Sequence, residues 1–337
     1  MKALVYTAPR TLELQDLPSP HNGPSDALVQ VRASGVCGSD LDGFLGRSRK
    51  RIPPLVLGHE FSGEIAQLGN EVPDFRVGDR VAVYPLVVCG QCRYCVSGRE
   101  QICPDRKVYG LDFHGGLAEY VAAPGRSLFH LPEPLNFVEG ALVEPLANAL
   151  HVINSVPAIE GATGVIFGGG PIGTMVFWAA KYFGARGVAV VEVNPHRIVR
   201  LRHLGVDFVI DGSHDPVRSL FEWTHGSGAD FAVDAVGKPE CRANTVRSLS
   251  PGGVAVWIGL SGDEAEIDGR AVVTRELEVK GSYAYRRDDF ARAISILAEG
   301  KLPVHAFVDE RRLESGQSSF EALATGKSSV MKLVFSI

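Results

Sequence analysis

The run ATGVIFGGGPIGTMVFWAAKYFGARGVAVVEV, Ala162 to Val193, admits few folds. An apolar segment, GVIF, meets a cluster of glycines, and the next dozen residues have helical length before Gly184. A second apolar segment, GVAVVEV, follows at once. A strand, a helix and a strand in that order require a parallel pair, because the helix provides the return path. Gly168, Gly170 and Gly173 spell G-x-G-x-x-G directly after the first strand, with Pro171 and Ile172 opening the helix. Such glycines let the backbone turn tightly and approach a pyrophosphate seated on the helix N-terminus. Proline suits the first helical turn, where its missing N–H has no partner to lose. Glu192 closes the second strand roughly 20 residues on, where an acid binds the adenosine ribose. A carboxylate accepts from both ribose hydroxyls and repels a 2′-phosphate, so the motif reads as NAD-binding. Arg197 and Arg200 just beyond it keep NADP open.

The alternation continues through DFVID, ADFAVDAVG, GGVAVWIGL and LEVKGSYAY, with helices expected around 216–225 and 239–249. Apolar strands separated by helices indicate a parallel sheet covered on both faces. The first third differs. KALVYT, TLELQDL, ALVQVRASGV, HEFSGEIAQLG, GDRVAVYP, GGLAEYVAAP and SLFHLP read as short strands between turn signals, without intervening helices. They predict a β-rich domain with barrel-like closure. Near Asn136, an N-cap candidate, a helix begins that Pro145 is expected to kink. The fold class is therefore α/β, a β-rich part joined to a doubly wound parallel sheet.

A length of 337 residues fits two domains at roughly 100–200 residues each. A net charge of −5 gives no electrostatic reason to expect nucleic acid or an anionic membrane as partner. The start, MKALVYTAPR, lacks the apolar stretch of a secretory signal, and no apolar run approaches the ~20 residues of a membrane span. The expectation is a soluble cytoplasmic protein whose thiols stay reduced.

In that setting clustered cysteines suggest metal more than disulfides. Cys89, Cys92, Cys95 and Cys103 read C-x2-C-x2-C-x7-C, a spacing that brings four thiolates around one point. A closed thiolate cage around zinc is a structural site. An iron–sulfur cluster also takes four cysteines, and thiol chemistry through one C-x-x-C pair is a further alternative. Scattered ligand types form a second set: Cys37 in GVCGSD, His59 and Glu60 in LGHEFSG, and Glu144 in ALVEPLAN. Singly, each reads as an ordinary buried or capping residue. Together they offer the sulfur, nitrogen and oxygen donors of a catalytic zinc with one exchangeable position.

With these motifs in that order, the chain resembles the zinc-containing medium-chain dehydrogenase/reductase family over essentially its whole length. Within it, the sequence looks most like the polyol and sugar or sugar-phosphate dehydrogenases, with threonine dehydrogenase a cousin. The resemblance implies a GroES-like catalytic domain, residues 1–148 and 286–337, interrupted by a Rossmann NAD-binding domain, residues 149–285. It implies that Cys37, His59 and Glu60 or Glu144 bind catalytic zinc, that Cys89, Cys92, Cys95 and Cys103 bind structural zinc, and that Asp40 orients His59. Ser39 would take the proton of the alcohol, while Val236, Gly237, Gly259 and Leu260 would floor the nicotinamide site. Many relatives place a relay histidine where this chain has Asp42, which leaves the proton exit open, with Asp42 reading as a relay residue or as a solvated turn acid. Arg47, Arg49, Lys50 and Arg51 form a charge run that reads as a solvated face or as a capture site for an anionic substrate group. Tyr283 and Tyr285 resemble aromatic residues near the substrate. The implied partners are a small-molecule alcohol and a second copy of the chain, as homodimer or homotetramer. The alternatives are a threonine-type amino alcohol dehydrogenase, a reductase of an activated double bond, and a non-catalytic nucleotide-binding relative.

Overall fold

The short N-terminal segments pair in the order their turns dictate. In the computed structural model, which describes residues 1–326 and 328–337, β1 (Lys2–Ala8) and β2 (Thr11–Asp16) form an antiparallel hairpin. β3 (Asp26–Gly35) runs into α1 (Gly38–Phe44), and β4 (Leu55–Val56) returns to pair with β1. β5 (Glu60–Leu68), β6 (Arg80–Val83), the two-stranded ribbon of β7 (Leu86–Val87) with β8 (Lys107–Val108), β9 (Tyr120–Pro124) and β10 (Leu128–His130) follow, with α2 (Arg93–Val96) inside the cysteine lobe. Then come α3 (Phe137–Ala141) and α4 (Val143–Ile153).

The chain divides into two units, Met1–Glu144 with Arg286–Ile337, and Pro145–Tyr285. The first switch falls at Glu144–Pro145, ahead of residue 148 and in the first turn of α4. Two local expectations change. α1 interrupts the all-strand reading, held by a capping box in which the Asp40 carboxylate accepts the Cys37 N–H. Pro145 does not kink a long helix. The break lies at Leu142, and Pro145 sits in the first turn of α4, where a missing N–H costs no helical bond. Asn136 does cap α3, accepting from the Glu139 N–H while Glu139 accepts from the Asn136 N–H.

In the second unit β11 (Thr163–Phe167), α5 (Pro171–Tyr182), β12 (Gly187–Glu192), α6 (Pro195–His203), β13 (Phe208–Asp211), α7 (Pro216–Trp223), β14 (Ala229–Asp234), α8 (Pro239–Ser248), β15 (Leu249–Trp257), α9 (Gly269–Thr274) and β16 (Glu278–Gly281) succeed one another. Helices α5 to α8 each begin on a proline, preset for the first helical position. All six strands are parallel in the order β13-β12-β11-β14-β15-β16. The order reverses between β11 and β14, and ligands of such sheets bind at the strands' carboxyl ends beside that reversal. Every residue of β11 is buried, each large apolar side chain contributing about 1.5–3 kcal/mol.

The chain re-enters the first unit through α10 (Arg287–Ala298), β17 (Val308–Arg312), α11 (Gly316–Ala324) and β18 (Lys332–Ser336). β18 pairs antiparallel with the end of β3 and parallel with β17. The larger sheet follows the path β10-β6-β5-β3-β18-β17, with β9 also on β3, and this path is open among the described residues. Among the same residues no helix is long and apolar enough to cross a membrane.

Candidate active site

The end of β3, the start of α1 and the start of β5 converge on one point. Cys37 caps α1, Glu60 opens β5 and His59 immediately precedes it, so that one ligand atom from each lies within 4.8 Å of the others. His59 and Glu60 are buried, and Cys37 is half-buried. His59 Nδ1 faces the Asp40 carboxylate at 3.5 Å, which leaves Nε2 as the nitrogen for a metal. Burial alone pushes the His59 imidazolium toward release of its proton. Asp40 and the Cys37 side chain outweigh that effect and hold the metal-free imidazole well above its ordinary pKa. Burial likewise disfavours the Asp40 carboxylate, but His59, Arg51 and the Cys37 N–H keep it well below the usual carboxylate range. Glu144 is buried on α4, and its carboxylate lies outside the three-residue group.

The four lobe cysteines also meet. Cys92 and Cys95 Sγ are 3.5 Å apart, Cys103 and Cys89 Sγ 3.5 Å, and Cys89 and Cys95 Sγ 3.9 Å. Thiolates at about 2.3 Å from one tetrahedral zinc stand about 3.8 Å from one another, so the spacing fits a single ion. All four are free thiols, separated far beyond a disulfide bond of about 2.05 Å. Backbone N–H groups of Gln91 and Cys92 pull Cys89 down to about 7, while burial pushes Cys95 up to about 12. Those N–H groups favour thiolate at the first of the four.

At the carboxyl ends of the parallel strands the glycine turn is tightly built. Gly168 has φ +104°, and its carbonyl oxygen lies where any Cβ on Gly173 would have to be. Gly170 caps α5 and Pro171 is its first residue, with Ile172 next. Glu192 Oε2 accepts the Gly169 N–H at 3.2 Å, and Oε1 accepts those of Val193 and Asn194 at 2.7 and 2.9 Å. Arg197 Nη1 stands 3.8 Å from Glu192. Beyond β14 and β15, Gly237 and Gly259 touch backbone to backbone, Val236 is bound through its carbonyl to Ser261 Oγ at 2.7 Å, and Leu260 is exposed.

Residues 23–133 match the alcohol dehydrogenase GroES-like domain, and residues 171–299 match the zinc-binding dehydrogenase family. An L-threonine 3-dehydrogenase of Saccharopolyspora erythraea is 34% identical over 337 residues, covering 97% of each chain. This chain belongs to the zinc-binding alcohol dehydrogenase family. It is also similar to a sorbitol dehydrogenase of Bacillus subtilis, 32% identical over 99% of this chain and 96% of that one. A Sinorhizobium meliloti dehydrogenase solved with NADP shares the fold with a TM-score of 0.92 and 28% identity, covering 100% of this chain and 99% of that one.

Three features of the two units were not read from the sequence, or were read differently. Lys332 of β18 is fully buried, paired with Glu60 and donating to the Val36 carbonyl at 2.9 Å. Gly35 makes the room, since a Cβ there would strike the Glu60 carboxylate and press on the Lys332 stem. The available signal was a lone lysine heading the apolar strand KLVFS. Asp234, fully buried at the end of β14, accepts the Val236 and Gly237 N–H groups at 2.9 and 2.8 Å, and Arg242 donates to the Gly259 carbonyl at 3.1 Å beside it. The third is Arg51. The charge run splits: Arg47 is exposed and 3.8 Å from Asp42, Arg49 and Lys50 are exposed, and Arg51 is buried. Of the two tyrosines, Tyr285 is fully buried and Tyr283 is 38% exposed.

Proposed function

We propose that this chain oxidises a secondary alcohol of a polyol, sugar, cyclitol or sugar phosphate to the ketone, passing hydride to NAD and releasing a proton. The observation that carries this is the convergence of Cys37, His59 and Glu60 beside Ser39 and Asp40. Their mixed sulfur, nitrogen and oxygen donors fit zinc with a position left for substrate, and Glu144 is a further oxygen donor within the same unit. A zinc bound there supplies Lewis-acid polarisation of the alcohol oxygen, and the nicotinamide supplies the hydride acceptor. The rest falls to the chain. Asp40 would fix the His59 tautomer, Ser39 would take the alcohol proton as its own hydroxyl hydrogen leaves to water, and Lys332 would balance the Glu60 charge. Cys89, Cys92, Cys95 and Cys103 would hold a second, structural zinc. Gly168, Gly170 and Gly173 would seat the pyrophosphate, with Val236, Gly259 and Leu260 beside the nicotinamide. For substrate contacts, exposed Tyr283 is a better candidate than buried Tyr285, and Arg47 and Arg49 would act only at a pocket rim. The expected setting is cytoplasmic, as a homodimer or homotetramer, without nucleic acid or membrane as partner.

A second reading, a threonine-type amino alcohol dehydrogenase, is favoured by the 34% identical relative. One experiment separates them: elemental analysis of zinc, with NAD reduction followed on sorbitol, xylitol, galactitol 1-phosphate and L-threonine. The expected result is about two zinc ions per chain and NADH formation with the polyol group. Faster turnover of L-threonine would move the assignment to the amino alcohol. A single tightly held zinc and no turnover would remove the catalytic site altogether.

The reading of NAD rather than NADP is supported by Glu192, whose carboxylate has acceptor capacity left after its three backbone bonds. Glu192→Ala should lower kcat/KM for NAD about 10- to 100-fold, the loss expected for charged hydrogen bonds of ~1.5–3 kcal/mol. The NADP-to-NAD ratio should rise with it. An unchanged ratio in steady-state kinetics would rule out the ribose role.

A further inference from the structure

We propose that Arg51 is a positioning residue of the proton path, acting through Ser39; this rests on the reading above that Ser39 takes the alcohol proton. Arg51 lies in the segment GRSRKRIPP, yet it turns away from its charged neighbours and folds back over α1. Ser48 Oγ accepts the backbone N–H of Arg51 at 3.2 Å and so fixes the turn that aims it. Gly43, inside α1, leaves the space for its stem, since a Cβ there would collide with Arg51 Cδ. The guanidinium then places a single nitrogen, Nη2, 3.0 Å from Ser39 Oγ and 3.4 Å from Asp40 Oδ1. Only 8% of Arg51 is exposed, and its buried Nε has no hydrogen-bond partner among the described residues. A buried cation with an unmatched donor is costly to keep, which argues against an incidental contact.

The bond to Ser39 has a direct chemical consequence. A hydroxyl offers two acceptor sites and one hydrogen. Arg51 occupies one acceptor site, so the other is left for the alcohol proton, and the hydroxyl's own hydrogen points away from the guanidinium and is released to water as the alcohol proton arrives. Arginine stays charged at every working pH and cannot carry the proton onward. It therefore sets the direction of transfer without taking part in it. Asp42, the residue in the place of the relay histidine of many relatives, stands on the exposed side with Arg47 at 3.8 Å. The neighbouring charges are balanced by the same geometry. Arg51 and Asp40 form a buried ion pair beside His59.

The test is a double-mutant cycle on the zinc-loaded enzyme: wild type, Arg51→Met, Ser39→Ala and the double variant. The substrate is the best alcohol from the panel above; kcat/KM for alcohol, KM for NAD and zinc content are measured. Arg51→Met should lower kcat/KM for alcohol about 10- to 100-fold, with zinc content and KM for NAD unchanged. In the Ser39→Ala background the same replacement should cost less than about threefold, because the residue it acts through is gone. Additive effects, or wild-type kinetics in Arg51→Met, would overturn the proposal. Wild-type kinetics in Ser39→Ala would instead overturn the role of Ser39, a separate failure. If Arg51→Met does not fold, Arg51→Lys enters the cycle, keeping the charge without the planar fork; a loss confined to the Ser39 background supports the proposal. Loss of zinc from both variants counts against it, since Arg51 would then support the ligands and not Ser39.

Discussion

Serine in place of Cys37 should lower alcohol turnover by more than about a thousandfold, the scale of the several kcal/mol a catalytic metal contributes, and leave NADH binding in place. The replacement is unusually clean. Cys37 is the N-cap of α1, with its own N–H bound to Asp40 at 3.1 Å. Serine is among the preferred residues at that position, so the helix should hold or gain stability. What disappears is the thiolate, the one soft anionic donor of the site. Elemental analysis should show the readily chelated zinc lost and the cage zinc kept. NADH fluorescence titration should give an affinity close to wild type. Near-normal turnover would sink the catalytic-metal assignment.

The complementary loss comes from Gly173→Ala. A Cβ there would run into the carbonyl oxygen of Gly168 and crowd Ile166. That carbonyl belongs to a glycine at φ +104°, so the turn has no relaxed alternative close by. Overpacking of this kind costs about 1–3 kcal/mol or more, and here it opens the turn on which a pyrophosphate would sit. NADH affinity should fall at least about a hundredfold, and calorimetry should show a lower unfolding temperature. Zinc content should stay at its wild-type value, because all of the candidate ligands lie in the other unit. An unchanged dissociation constant for NADH would show that the glycine turn is not the nucleotide site.

Sequence spacing carried these sites where geometry is local. Three cysteines within seven residues, or glycines at fixed offsets after a strand, determine their own neighbours. Cys37 and His59 were readable for a related reason, since each sits beside the end or the start of a strand of one sheet. The rest depended on distant partners. α1, in GSDLDGF, contains two glycines and two aspartates, and little in its composition favours a helix; it is held by the Asp40 cap and by packing. Arg51 looked like one more charge in a solvated run, because only the return of the chain over Gly43 hides it. Pro145 suggested a kink because the helix start at Val143 could not be seen. Lys332 lies 272 residues from Glu60, and no local pattern joins them.

That last separation bears on how the protein is made. β3 and β5, with Cys37, His59 and Glu60, leave the ribosome early, whereas the strand carrying Lys332 follows only after the whole second unit has been synthesised. Until β18 settles against β3, Glu60 has no buried cation beside it, and the edge of β3 that receives β18 stays unpaired. The nascent chain therefore holds Cys37, His59 and Glu60 before it holds the lysine that pairs with Glu60. A first unit that folds before β18 arrives would present this cluster more anionic and more open than in the finished fold, and docking of the late strand would close it.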